Sequence, residues 1–292
     1  MIKHACLIYN PTSGKETIEK NLSFIINRLR TGGFATICQA TSGAGDATRI
    51  ARSAAEQQFE LVIAAGGDGT LNEVINGLAE QPYRPKLGII SAGTTNDFAR
   101  AINLPRSLDQ ICHVLCTGKE ISVDLGKIND QYFINVAASG LFSEISYTVP
   151  SKLKTYLGQL AYFIKGIGML PSIRPLPLEI EYNGHEFTGE VLLFLIANTP
   201  SIGGFKKLAP QALIDDGLFE LLIVKKMNLL ELTRLIPLTI NGEHINNQQV
   251  IYTKAKRINV KNKMPLNLDG EWRGFLPGEF INLPRHLQVL VP

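Results

Sequence analysis

Long apolar runs are missing from this chain. The longest uninterrupted ones, such as residues 191–197, fall far short of the ~20 residues a membrane-spanning helix requires, so a spanning helix is excluded. No secretory leader pattern opens it: Met1-Ile2-Lys3-His4 leads straight into a strand pattern, and a cytoplasmic protein is expected. An excess of one charge is missing too. Lys and Arg number 29 against 26 Asp and Glu, and the net +3 is spread along the chain, so nothing calls for nucleic acid. Mild basicity leaves room for contact with an anionic lipid surface. Cysteine is scarce. Cys6, Cys38, Cys112 and Cys116 lie in apolar surroundings, and although His113 stands between the last two, no second ligand pair completes a metal site. They read as buried free thiols in a reducing compartment. Internal repeats and low-complexity linkers are also absent.

What is present begins with length. At 292 residues, 45% hydrophobic and 19% charged, the chain suits a soluble globular protein of two domains. Its first third alternates strand and helix. Residues 5–9 are strand-like, and Ile18, Leu22, Ile25 and Leu29 mark a helix that Gly32-Gly33 ends. Residues 34–40 read as strand, 46–58 as helix and 61–65 as strand, with a helix from Leu71; residues 87–90 form a fourth strand, with a helix from about Asn96. The pattern predicts an α/β domain with a doubly wound, Rossmann-like parallel sheet.

Near residue 120 the texture changes. Residues 121–128 and 131–136 form a hairpin about Asn129-Asp130, and 176–182 alternate apolar and acidic residues before the turn pair Asn183-Gly184. Residues 190–197, 218–225, 251–253 and 258–261 are further strands. This region predicts an antiparallel β-sandwich. One helical stretch, 157–170, carries Leu157, Leu160, Phe163, Ile164 and Ile167 on one face; core packing is the favoured reading, a lipid-facing strip the alternative. The joint falls within 119–124, and the interdomain cleft is the expected ligand site.

Chemistry concentrates in the loops after the parallel strands. Gly66-Gly67-Asp68-Gly69-Thr70 joins the third strand to its helix. Strand, glycine turn and helix start cradle phosphate, because glycine lets the main chain approach the anion and the helix start presents unpaired N–H groups. Thr70 and Glu73 fit a capping box. Asp68 is the odd member. A carboxylate repels phosphate unless it holds a cation or a proton, which points to Mg²⁺ handling or to a base in phosphoryl transfer; the plainer reading is an Asp-Gly turn. After the fourth strand come Gly93, Thr94, Thr95, Asn96, Asp97 and Arg100. Asp97 and Arg100 form a plain helix ion pair, or Asp97 helps hold Mg²⁺ while Arg100 balances charge near the phosphates. The loop Asn10-Pro11-Thr12-Ser13-Gly14-Lys15 is half a P-loop: Tyr9 and Glu16 occupy positions where the full pattern needs Gly and Ser or Thr. Thr41-Ser42-Gly43 follows the second strand. All four loops fall at the carboxyl edge of one sheet, where open α/β sheets bind ligands.

Transfer to an alcohol also needs a group to take the hydroxyl proton. Asp269-Gly270-Glu271 offers one, or is a hairpin turn with an exposed acid. Asp215-Asp216-Gly217 is a turn before a strand, or holds a divalent cation with main-chain carbonyls completing the oxygen shell.

These segments, in this order, resemble the diacylglycerol kinase catalytic-domain family, in particular its soluble members from Gram-positive bacteria. The likeness runs over nearly the whole chain, including Pro150-Ser151-Lys152-Leu153-Lys154 and Gly242-Glu243-His244. Gly-Gly-Asp-Gly-Thr alone is shared with NAD kinases and sphingosine kinases; the full set is more specific. The resemblance implies ATP-dependent phosphorylation of the primary hydroxyl of 1,2-diacylglycerol to phosphatidic acid. It places nucleotide contacts on Asn10, Pro11, Thr12, Ser13, Gly14, Thr41, Gly66, Gly67, Asp68, Gly69, Thr70, Leu71, Asn72 and Thr94. The catalytic proton acceptor falls on Glu271, and a structural Mg²⁺ on Asp216 with the carbonyls of Leu213 and Leu218. Asp68 and Asp97 would arrange the Mg²⁺ of the nucleotide, with Lys15 and Arg100 in the same charged network. It further implies a nucleotide-binding domain over 1–123, a lipid-substrate sandwich over 124–284, a chain end (285–292) returning to the first domain, a homodimer, and a place at the inner face of the cell membrane, where diacylglycerol lies. Trp272-Arg273 departs from the family pattern, where a tyrosine and a small residue are expected; the change bears on the acceptor more than on kinase chemistry. The rivals are a kinase of phosphatidylglycerol or a sphingoid base, an NAD kinase, which the second and third motifs fit worse, and a nucleotide-binding protein without turnover, against which Asp68, Asp97 and Glu271 argue.

Overall fold

The computed structural model describes residues 2–13, 17–140 and 174–292. The chain divides into two compact units, Met1–Leu125 with Pro284–Pro292, and Gly126–Leu283.

In the first unit β1 (Lys3–Tyr9), β2 (Phe34–Ala40), β3 (Leu61–Gly66) and β4 (Lys86–Ser91) form a parallel sheet in the order β4-β3-β1-β2. The chain steps from β1 out to β2, returns past β1 to β3, and goes on to β4. The direction of travel therefore reverses between β1 and β3, and a crevice opens there at the carboxyl ends of the strands. Tyr9 lies opposite Ala65, so the loops leaving β1 and β3 flank that crevice. Val289, in the chain end, pairs in parallel with Leu87 of β4. The helices are α1 (Thr17–Lys20), α2 (Leu22–Thr31), α3 (Asp46–Glu56), α4 (Asp68–Leu78), α5 (Asp97–Ala101) and α6 (Leu108–Thr117). Leu7 and Ile63 pack with Ile25, Leu29 and Leu115 on one face of the sheet, while Ile8, Val62 and Ala64, which alternate with them, are buried on the other. Burial on both faces is why β3 reads as an unbroken apolar run.

The second unit is antiparallel. Its strands are the last residues of β5 (Lys119–Ile128), then β6 (Gln131–Phe133), β7 (Val136–Gly140), β8 (Leu176–Tyr182), β9 (His185–Ala197), β10 (Phe219–Lys225), β11 (Val250–Ala255), β12 (Arg257–Val260), β13 (Pro265–Leu268), β14 (Glu271–Phe275) and the first part of β15 (Gly278–Val291). β9 pairs with β7, β8 and β10; β13 joins β7 to β14, and β12 joins β8 to β15. Phe133, Phe194, Phe219 and Phe280 interlock in the sandwich core, with ring centroids 5.7–6.2 Å apart. Asn129-Asp130 and Asn183-Gly184 make the two-residue turns that their chemistry predicts.

One helix escapes sequence reasoning. α7 (Leu229–Asn241) lays Leu232 and Leu235 on the apolar surface of Leu193, Leu195, Leu222 and Val224. Its start carries a full capping box, Asn228 with Glu231, and Gly242 closes it at φ 80°. Pro237 sits inside the helix and masks this signal, since proline removes an interior hydrogen bond. The stretch 157–170 and the segment 150–154 lie outside the described residues, as do Gly14 and Lys15. No helix among the described residues is long and apolar enough to cross a membrane.

Candidate active site

Two glycine turns meet at the carboxyl edge of the parallel sheet. A methyl group on Gly93 would lie 2.7 Å from the Cα of Gly67 and 2.7 Å from Oδ1 of Asn96, so the two main chains approach as only glycine allows. Asn96, at φ 48°, locks its own turn: Oδ1 accepts from the N–H of Gly93 (3.0 Å) and Nδ2 donates to its carbonyl (2.7 Å).

Asp68 takes part in this junction. Its carboxylate accepts from the main-chain N–H groups of Asn96 (2.9 Å) and Asp97 (3.1 Å), the first amides of α5. The acid in the first turn thereby caps the helix of the second through charge-assisted bonds. Asp97 is buried at the start of α5, and Arg100, on the exposed side, donates to the carbonyl of Thr94 (3.4 Å).

The capping box expected of Thr70 and Glu73 does not form. α4 begins earlier, at Asp68, with Gly67 as its N-cap and no side-chain cap. Glu73 turns to the neighbouring helix, where its carboxylate accepts from the N–H of Ala47 in α3 (3.2 Å). A partner brought close by packing has displaced the local one.

The loops after β1 and β2 close through their own side chains. Asn10 Oδ1 accepts from the N–H (3.0 Å) and hydroxyl (2.9 Å) of Thr12, shaping the turn that carries Pro11 and Ser13. Thr41 follows β2, its N–H on the carbonyl of Tyr9 (2.9 Å). Ser42 binds Asp46 through its hydroxyl and its N–H; with Arg49 these bonds hold the Asp46 carboxyl down at about 2.

In the second unit Glu271 is exposed at the start of β14, directly after the turn Asp269-Gly270, whose φ values of 50° and 92° are those of a type I′ hairpin. Asp269 has a role of its own that the sequence pattern does not show. Its carboxylate accepts from three successive main-chain N–H groups, Ile134 (3.0 Å), Asn135 (2.9 Å) and Val136 (2.9 Å), and its own N–H donates to the carbonyl of Val136 (2.8 Å). This clamp fixes the turn from which Glu271 projects.

Asp216 caps its own turn, accepting from the N–H of Leu218 (3.1 Å), and meets Lys254 Nζ at 2.7 Å. Lys254 also lies 3.4 Å from Glu220, a buried acid whose carboxyl is pushed up by desolvation and whose Oε2 has no hydrogen-bond partner. The donors at this turn are a carboxylate and main-chain carbonyls, all hard oxygens. That set suits Mg²⁺, which keeps several waters. Lys254 thus lies between Asp216 and Glu220.

Comparison with known proteins bears on the family. Residues 4–128 match the family model described as diacylglycerol kinase catalytic domain, and residues 136–291 one described as YegS C-terminal NAD kinase beta sandwich-like domain. A protein of Bacillus subtilis (strain 168) named diacylglycerol kinase is 53% identical, over 100% of this chain and 97% of its own. One of the same name from Staphylococcus carnosus (strain TM300) is 49% identical, over 100% and 96%. A crystal structure described as that of a diacylglycerol kinase from Bacillus anthracis str. Sterne superposes with a TM-score of 0.82 at 27% identity, over 100% of this chain and 97% of that one.

Proposed function

The chain belongs to the diacylglycerol kinase catalytic-domain family, and from that premise we propose that it moves the γ-phosphoryl group of ATP to the primary hydroxyl of 1,2-diacylglycerol, giving phosphatidic acid and ADP. The observation that carries the nucleotide half is the close meeting of the Gly67 and Gly93 turns at the carboxyl edge of the sheet.

In this reading residues 1–123 hold the nucleotide and 124–284 the lipid, with 285–292 serving the first domain. The amides of Gly66, Gly67, Gly69 and Thr70 face the phosphates, with Leu71 and Asn72 continuing that wall. Asn10, Pro11, Thr12, Ser13 and Gly14 close it from the loop after β1, and Thr41 and Thr94 from their own strand ends. Mg²⁺, when bound, neutralises charge on the phosphate oxygens. Asp68 and Asp97 would hold it, and Lys15 and Arg100 would balance the charge. Asp216 with the carbonyls of Leu213 and Leu218 would hold a second, structural ion. Glu271 takes the proton of the acceptor hydroxyl as its oxygen forms the new P–O bond and the bond to the β-phosphate oxygen breaks. The family likeness supports a homodimer working from the cytoplasm on the inner face of the cell membrane.

The test is transfer of label from ATP, with Mg²⁺, in mixed micelles carrying diacylglycerol, phosphatidylglycerol or sphingosine. Label in phosphatidic acid is expected. Glu271→Gln should lower turnover about 10²–10⁴-fold with nucleotide affinity unchanged. Label in another lipid would move the acceptor, and ATP binding without any labelled lipid would leave a nucleotide-binding protein.

A further inference from the structure

β14 pairs with β13 alone, so among the described residues it is an edge strand. Edges are usually blunted by charge or proline, because unpaired N–H and C=O groups with apolar side chains invite aggregation. This edge instead exposes two aromatic rings, Trp272 at 52% and Phe275 at 54%.

Three residues apart on a regular strand, they would point to opposite faces. A bulge brings them together. Pro265 lies opposite Phe275 and Asn267 opposite Trp272, so β14 carries one residue more than β13 over this interval, and Gly274 takes the φ of 102° that the insertion requires. The rings consequently meet edge to face with centroids 6.1 Å apart. The Lys263 ammonium lies 4.9 Å over the Phe275 ring.

We propose that Trp272 and Phe275, with Lys263, form the surface by which this protein rests on an anionic bilayer. The inference builds on the lipid-kinase reading of Glu271, the residue before Trp272. Tryptophan favours the headgroup level of a bilayer, where its ring is half in hydrocarbon and its N–H remains wet, and the neighbouring Lys263 ammonium meets the lipid phosphates. A base next to such an anchor is held at the depth where the hydroxyl of a glycerolipid lies. A second copy of the chain is a poorer occupant. A twofold contact sets the same patch against itself, Lys263 facing its own equivalent.

The chain contains one tryptophan, so its fluorescence reports this surface alone. The protein is mixed, without ATP, with vesicles of phosphatidylcholine with or without phosphatidylserine, their acyl chains brominated to quench from within. A blue shift and quenching are expected with the anionic vesicles, weaker on phosphatidylcholine and reduced by salt. Trp272→Ser with Phe275→Ser should cut vesicle cosedimentation about tenfold or more. It should lower phosphorylation of vesicle-borne diacylglycerol, and Phe275→Ser alone should do so while sparing a short-chain diacylglycerol dissolved as monomer. Cosedimentation with emission unchanged, lost in Leu230→Ser, would move docking to the exposed side of α7 and overturn the proposal. So would a blue shift that follows protein concentration without lipid. Quenching by vesicles from a protein that phosphorylates neither substrate would keep the surface and remove the kinase reading.

Discussion

Asp269 should be the most costly single surface acid to remove. Its carboxylate serves three main-chain N–H groups within 3.0 Å, on Ile134, Asn135 and Val136, and these residues are only 2%, 4% and 7% exposed. An amide left unpaired in such a place costs about 1–3 kcal/mol. Asp269 itself is half-buried, so water recovers part of the loss. Alanine also strains the left-handed φ of 50°, by about 1–2 kcal/mol. Together these give about 4 kcal/mol for Asp269→Ala. Asp269→Asn tolerates the backbone and keeps Oδ1 on Asn135 and Val136, but sets an NH₂ group against the N–H of Ile134; about 2 kcal/mol follows. Asp269→Gly loses the bonds without the strain and should fall between them. Urea unfolding monitored by circular dichroism measures all three, and turnover at saturating ATP should fall in the same order, since Glu271 leaves the same turn. An Asp269→Ala protein within about 1 kcal/mol of the wild type would refute the reasoning, because water would then be replacing the carboxylate at no cost.

Three further outcomes follow from particular contacts. Gly93→Ala sets a methyl 2.7 Å from the Cα of Gly67, which no side-chain rotation relieves; about 1–3 kcal/mol of stability and a clear loss of nucleotide affinity by calorimetry are expected, and unchanged affinity would separate the junction from the nucleotide. His244 is buried with Nε2 3.0 Å from the carbonyl of Leu208, and desolvation lowers its pKa below the ordinary 6.5. The unfolded chain therefore takes up the proton first, so stability is full above pH 6.5, declines as pH falls below it and levels off below the native pKa; His244→Gln should flatten that part of the profile. Asn228→Ala removes the cap of α7 and should cost about 1 kcal/mol, read as a fall in the urea midpoint with the slope unchanged.

The sequence by itself determined what depends on neighbours along the chain. Alternating strand and helix periods gave the parallel sheet. Asn129-Asp130 and Asn183-Gly184 gave the hairpins, and the glycine turns marked the ends of β3 and β4, because these signals act within a few residues. Tertiary structure alone decided which groups meet. Glu73 leaves its own helix for Ala47. Asp68 takes amides 28 and 29 residues away, and Asp269 takes amides 133–135 residues away. Trp272 and Phe275 share a face only through the extra residue at Gly274. α7, which Pro237 disfavours locally, persists because Leu232 and Leu235 have an apolar sheet face to cover. A carboxylate is satisfied by whichever donors packing brings within hydrogen-bond reach, and an apolar face by whichever surface excludes water from it. Neither choice is encoded in spacing.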